Sequence, residues 1–168
     1  MDEFHYRGGV LHCEDVPLHE IARGAGTPAY VYSYAALERA YREVEEAFSG
    51  LDHLVCFAVK ANGNLAVLRA LASLGAGADI VSGGELYRAM RAGFDPKKVV
   101  FAGVGKTEQE LKAGLGERIL MFNVESAGEL EHLERLAHLH GKRARVALRI
   151  NPGVDPGTHE HISTGNVE

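Results

Sequence analysis

From residue 54 to residue 151 the chain repeats one unit: a short β-prone run, a polar turn and an amphipathic helical segment. Strands are expected at 54–60, 77–82, 99–102, 119–123 and 144–151, with helices near 64–75, 84–92, 107–114 and 126–140. Three of the helix starts carry a capping-box pair directly after a strand: Ser82 with Glu85, Thr107 with Glu110, and Ser126 with Glu129. Strand–helix alternation makes a parallel sheet joined by right-handed crossovers. That leaves two architectures, an open doubly wound sheet or part of a (β/α)8 barrel.

The strand faces favour the barrel. Strands of a doubly wound sheet are covered on both faces and read as continuous apolar runs. Here Val146, Leu148 and Ile150 share one face while Arg145, Ala147, Arg149 and Asn151 share the other. Likewise Ala78 and Ile80 oppose Gly77, Asp79 and Val81. Lys60, Asp79 and Arg149 each put charge toward the carboxyl end of one face, where barrel enzymes gather their chemistry. Five strands do not close an eight-stranded barrel, and by size alone 168 residues suit a five-stranded flavodoxin-like sheet. Against that sheet, the turn Ala61-Asn62-Gly63-Asn64 carries neither the GxGxxG of a dinucleotide site nor a P-loop. The last residues are polar, with no helix to cover the final strand. The expectation is a partial barrel of about five βα units, taken from something longer.

Within the repeat, Leu54 to Asn64 (LVCFAVKANGN) is the stretch with the clearest chemistry. Alternation puts Leu54, Cys56, Ala58 and Lys60 on one face and Val55, Phe57 and Val59 on the other. A lysine on the less bulky face, turned into a sheet or barrel, is partly desolvated and becomes a usable nucleophile for Schiff-base chemistry. The plain alternative is a lysine that ends its strand at the surface. Upstream, residues 4 to 13 suggest a hairpin or edge strand around Gly8-Gly9. Pro17 opens a short helix through about Arg23, closed by Gly24 and Gly26. A short strand AYVYS (29–33) then ends in Ser33, a cap for a helix with Leu37, Ala40, Tyr41, Val44, Ala47 and Phe48 on its apolar face.

Composition narrows the function classes. A net charge of −5 and a pI near 6.0 give no nucleic-acid footprint. Cys13 and Cys56 lie far apart, which argues against a disulfide framework or zinc site and fits a reducing compartment. The nine histidines are scattered, and the His138/His140 and His159/His161 pairs lack the i,i+4 spacing of a helical metal site, so no metal is expected. No run resembles a signal peptide or reaches membrane-spanning length, so cytoplasm is the expected location and no membrane partner is expected.

The segments YVYS, CFAVKAN, GADIVSGGELYRAMRAGF, NVES with GELEHL, and RINPGVDPGTHEHISTG follow one another in an order and spacing that resembles the N-terminal half of the diaminopimelate decarboxylase family. The likeness covers nearly all of the chain from about Thr27. CFAVKAN by itself resembles the wider group that includes ornithine, arginine and carboxynorspermidine decarboxylases. The last segment resembles the diaminopimelate branch. This resemblance implies a (β/α)8 TIM barrel of the alanine racemase type and a cytoplasmic homodimeric lyase of lysine biosynthesis. Its implied cofactor is pyridoxal 5'-phosphate, and its implied substrate the amino acid meso-2,6-diaminopimelate, decarboxylated to L-lysine. It further implies that Lys60 forms the Schiff base, that Ala58 leaves room for the flat ring, that Asp79 lies near the imine, and that Arg149 belongs to the inner cofactor shell. Residues 1–26 would form a segment whose strand pairs with a C-terminal β-domain, and 27–168 the first part of the cofactor-binding barrel. The family's glycine-rich phosphate loop and pyridinium-binding glutamate lie on later strands, so residues 1–168 alone are expected to have little activity. Gly83 and Gly84 are read as a tight strand-to-helix turn, and His159 and His161 receive no role. A non-catalytic subunit and a flavodoxin-like binding module remain as rivals.

Overall fold

A computed structural model describes residues 3–151. The amino-terminal part is a small antiparallel sheet of β1 (Phe4–Arg7), β2 (Val10–Cys13) and β3 (Val16–Pro17). Arg7 pairs with Val10 across Gly8 and Gly9, whose φ values of 59° and 79° are those a two-residue primed turn needs. β3 is an addition to the hairpin read from sequence. Helix α1 (Leu18–Ala25) starts after Pro17 and closes at Gly26, while Gly24 lies within it. The expected strand 29–33 is absent: the segment pairs with no other strand of the described residues. Ser33 does cap α2 (Tyr34–Ala47), its Oγ accepting the Ala36 N–H at 3.0 Å. Of the apolar face of α2, Leu37 and Tyr41 pack on the core, whereas Val44 and Phe48 stay exposed.

The second part is a five-stranded parallel sheet: β4 (Cys56–Ala58), β5 (Gly77–Ile80), β6 (Val99–Phe101), β7 (Met121–Val124) and β8 (Val146–Leu148). Between successive strands lie α3 (Leu65–Leu74), α4 (Gly83–Ala92), α5 (Glu108–Glu117) and α6 (Ala127–Leu139). All five strands and four helices match the expected units; four of the strands are shorter than expected, and β7 is shifted to 121–124 from the expected 119–123. Each of the three capping serines or threonines accepts the N–H of its glutamate. Thr107 and Glu110 form the reciprocal box, whereas Glu85 and Glu129 reach one residue further back, to Val81 and Glu125 N–H.

The strands are ordered β4-β5-β6-β7-β8, as in the chain, with every pair parallel. A flavodoxin-like sheet reverses its order at a switch point and carries helices on both faces. Here the order never reverses, and α2 through α6 contact one another in succession as one layer. Ala78, Ile80, Val99, Phe101, Phe122 and Val124 form the helix-facing core, each at most 3% exposed. In the registered rows of the other face, Ala58, Asp79, Val100, Met121, Asn123 and Ala147 are only half-buried. A singly wound parallel sheet with helices on one side is an arc of a barrel, and its half-buried face is the barrel's interior. The flavodoxin-like reading is therefore set aside.

Candidate active site

Parallel strands place all their carboxyl ends at one end of the sheet. From β4 the chain passes into a single 3-10 turn, Val59–Ala61, that contains Lys60. Two asparagines shape the approach to α3: Asn62 Oδ1 accepts the Asn64 N–H at 3.0 Å, and Asn64 Oδ1 accepts the Ala66 N–H at 2.8 Å, capping the helix. Arg88 of α4 donates to Gly63 O at 3.0 Å and pins the turn from the neighbouring unit. This geometry corrects the sequence reading at one point. The strand ends at Ala58, so alternation does not carry to residue 60, and Lys60 is exposed rather than half-desolvated. Its side chain has no hydrogen-bond partner among the described residues.

Asp79 of β5 is the registered neighbour of Ala58. Its Oδ1 is buried and accepts no hydrogen bond among the described residues. Burial pushes the carboxyl above its ordinary range, the Lys60 charge pulls it back, and Glu85 pushes it up again. The single methyl of Ala58 leaves the interior face open beside them. An amine, an unpartnered carboxylate oxygen and a small residue thus meet at the first two strand ends. Polar atoms buried without a partner are uncommon, and a donor on a bound group is one way to satisfy them.

Arg149, just past β8, lies on the same interior face by register, four strand steps of roughly 4.8 Å from β4. The described residues therefore do not bring it against Lys60. It is held instead by Glu125, whose Oε2 accepts Arg149 Nη1 at 3.2 Å while Oε1 accepts the Gly103 N–H at 2.7 Å. One carboxylate ties together the ends of β6, β7 and β8. Beside it Lys106, 1% exposed, donates to Gly103 O, Asn123 O and Glu129 Oε1 at 2.8, 2.7 and 2.6 Å. Sequence reasoning passed over Glu125 and Lys106 and read Glu85 only as a helix-capping partner. The available signal was their place, each within a few residues of a strand's carboxyl end.

His159 and His161, with all but three residues of the RINPGVDPGTHEHISTG segment, lie outside the described residues. Among the described residues no group of three or more histidines, cysteines or acids is arranged to hold a metal, and no helix is long and apolar enough to cross a membrane.

Residues 34–168 match the family model described as pyridoxal-dependent decarboxylase, pyridoxal binding domain. The chain is 56% identical over 165 residues to the diaminopimelate decarboxylase of Pseudomonas aeruginosa, covering 98% of this chain and 40% of that protein. It is 54% identical over 166 residues to the enzyme of the same name from Vibrio cholerae, with the same coverage of 98% and 40%. The chain thus spans about 40% of the length of these relatives. Among solved structures, diaminopimelate decarboxylase from M. jannaschii in co-complex with L-lysine superposes with a TM-score of 0.89 at 42% identity, over 98% of this chain and 39% of that one.

Proposed function

This chain belongs to the pyridoxal-dependent decarboxylases, and from that premise we propose that it forms the first part of the cofactor-binding barrel of an enzyme that converts meso-2,6-diaminopimelate to L-lysine. The substrate rests on the diaminopimelate decarboxylases at 54–56% identity and on the relative crystallised with L-lysine. The cofactor is pyridoxal 5'-phosphate, which would supply an electron sink for the bonding pair left on the α-carbon when the carboxylate departs as carbon dioxide. The unpartnered Oδ1 of Asp79 beside Lys60 carries this reading, because the pair fits a group that presents both an aldehyde and a hydrogen-bond donor.

The chain's own residues divide the work. Lys60 provides the amine that holds the cofactor, from a turn fixed by two asparagines and Arg88. Ala58 clears space for a flat ring, and Asp79 holds negative charge beside the amine. Arg149 contributes to the cofactor shell from the far strand, its guanidinium steadied by Glu125. Residues 1–26 form the segment that pairs with a C-terminal β-domain, and 27–168 the barrel portion. The enzyme is a cytoplasmic homodimer acting on a small amino acid, without nucleic-acid or membrane partners. Residues 1–168 by themselves have little decarboxylase activity, since phosphate and pyridinium ligands come from later strands.

The test is borohydride reduction of a chain extended to the relatives' length and loaded with cofactor, followed by peptide mass spectrometry. The pyridoxyl adduct is expected on Lys60, and an adduct on another lysine rejects the assignment. Carbon dioxide release from meso-diaminopimelate, in excess of that from ornithine or arginine, is the expected substrate preference.

A further inference from the structure

At the opposite end of the sheet, before the amino ends of β6, β7 and β8, lies a cleft of about 480 Å³. Five of the chain's 18 lysines and arginines line it, Lys97, Arg118, Lys142, Arg143 and Arg145, and among the described residues no acidic residue does. Elsewhere several surface cations are matched by carboxylates, as Arg39 is by Glu3 and Arg42 by Glu38. Among the described residues only Lys142 of these five is engaged, donating to Leu115 O at 2.7 Å and Gly116 O at 3.3 Å, where it offsets the negative end of α5. The side chains of Lys97, Arg118, Arg143 and Arg145 have no hydrogen-bond or ion-pair partner among the described residues. Gathering unpaired like charges around one concavity is unfavourable unless an anion offsets them. The chain as a whole carries a net charge of −5, so general basicity does not explain the cluster.

We propose that this cleft is a binding site for a small organic phosphate. Between the cations its lining includes the edges of Leu115, Ile119 and Phe122, an apolar strip that an organic body can touch. Its rim offers guanidinium forks that match phosphate oxygens in bidentate geometry. The volume lies in the range of small-molecule sites, and the concave shape and negative net charge favour a small ligand over a nucleic-acid backbone. The cleft is separated from Lys60 by the length of the strands, so the proposal stands apart from the assignment of the cofactor lysine.

Isothermal titration of the 168-residue chain with phenyl phosphate, at ionic strength matched with sodium chloride, tests it. Saturable one-site binding is expected, tighter than that of inorganic phosphate. Arg143→Gln and Arg145→Gln, both at exposed side chains, should each weaken it about tenfold, the scale of one charged hydrogen bond. Arg69→Gln on α3, also exposed but outside the cleft, should leave it unchanged. Absence of saturation, equal weakening by Arg69→Gln, or inorganic phosphate binding as tightly as the ester overturns the proposal. Tighter binding of a short single-stranded oligonucleotide overturns the choice of a small ligand.

Discussion

The two faces of the parallel sheet are made by the same strands and differ in nearly every physical respect. Toward the helices, Ala78, Ile80, Val99, Phe101, Phe122 and Val124 form continuous hydrocarbon at most 3% exposed. Toward the barrel interior, the intervening residues are half-buried, several of them small or polar, and Asp79 carries an oxygen without a hydrogen-bond partner among the described residues. The alternation of a strand thus separates stability from chemistry by one residue at a time. If that division is real, mutations on the two faces should differ in size and even in sign.

The largest effect belongs to the helix side. Phe101 is 0% exposed and stacks on Phe122 with ring centroids 6.1 Å apart. Phe101→Ala should cost about 3–5 kcal/mol of unfolding free energy, the usual loss at an emptied aromatic core site, whereas Val100→Ala on the interior face should cost well under half that. Urea unfolding of both variants gives the ratio, and equal losses would break the comparison.

Lys106 tests whether the polar network at the strand ends is structural. Its ammonium is nearly sealed from water, with three oxygen partners and the Phe101 ring 5.8 Å away. Lys106→Met keeps the length but strands Glu129 and two carbonyls, so a loss of about 3 kcal/mol is expected. A thermally unaltered variant would mean that Glu129 and the Gly103 loop hold their places without it.

The same strands separate what is local in the chain from what is not. The alternation of Ala78 and Ile80 against Asp79 was legible because a strand's period is local, and so were the serine and threonine caps, which act within four residues. That Ala58 sits beside Asp79 requires the register of two strands that are distant in the chain. The end of β4 at Ala58 was missed because Val59 and Lys60 continue the pattern of a strand while adopting a 3-10 turn. Glu125 received no reading from the sequence; only the parallel neighbours reveal that it joins Gly103 to Arg149. Contacts between units carry no periodic signal along the chain.

Gly114 sharpens the helix side further. A Cβ there would lie 2.7 Å from Phe122 Cζ and 3.2 Å from Ile119 Cδ1, so α5 approaches β7 as closely as it does only because the side chain is missing. Gly114→Ala should lose roughly 1–3 kcal/mol by overpacking, despite the better helix propensity of alanine. Gly116, on the same helix, meets nothing within 4 Å, and Gly116→Ala should be neutral or slightly stabilising. The pair, compared by thermal unfolding, isolates packing from propensity.

The smallest expected effect has the opposite sign and belongs to the interior face. Burial raises the Asp79 carboxyl above its usual range even though Lys60 opposes it, so in the absence of a bound group the folded chain holds that proton more tightly than the unfolded chain. Where the folded state binds more protons, stability falls as pH rises, here from the ordinary aspartate range upward through the folded value. Ionised Asp79 is then a mild burden at neutral pH, and Asp79→Asn should raise the melting temperature at about pH 7, while the gain shrinks as pH falls through the folded value and is gone below the range of a free aspartate. The same substitution should weaken retention of pyridoxal 5'-phosphate on Lys60 in the extended, cofactor-loaded chain, followed by its absorbance. Stabilisation together with poorer retention is the signature of a carboxylate kept for chemistry; a variant that loses stability at neutral pH would return Asp79 to a structural role and erase the division between the two faces.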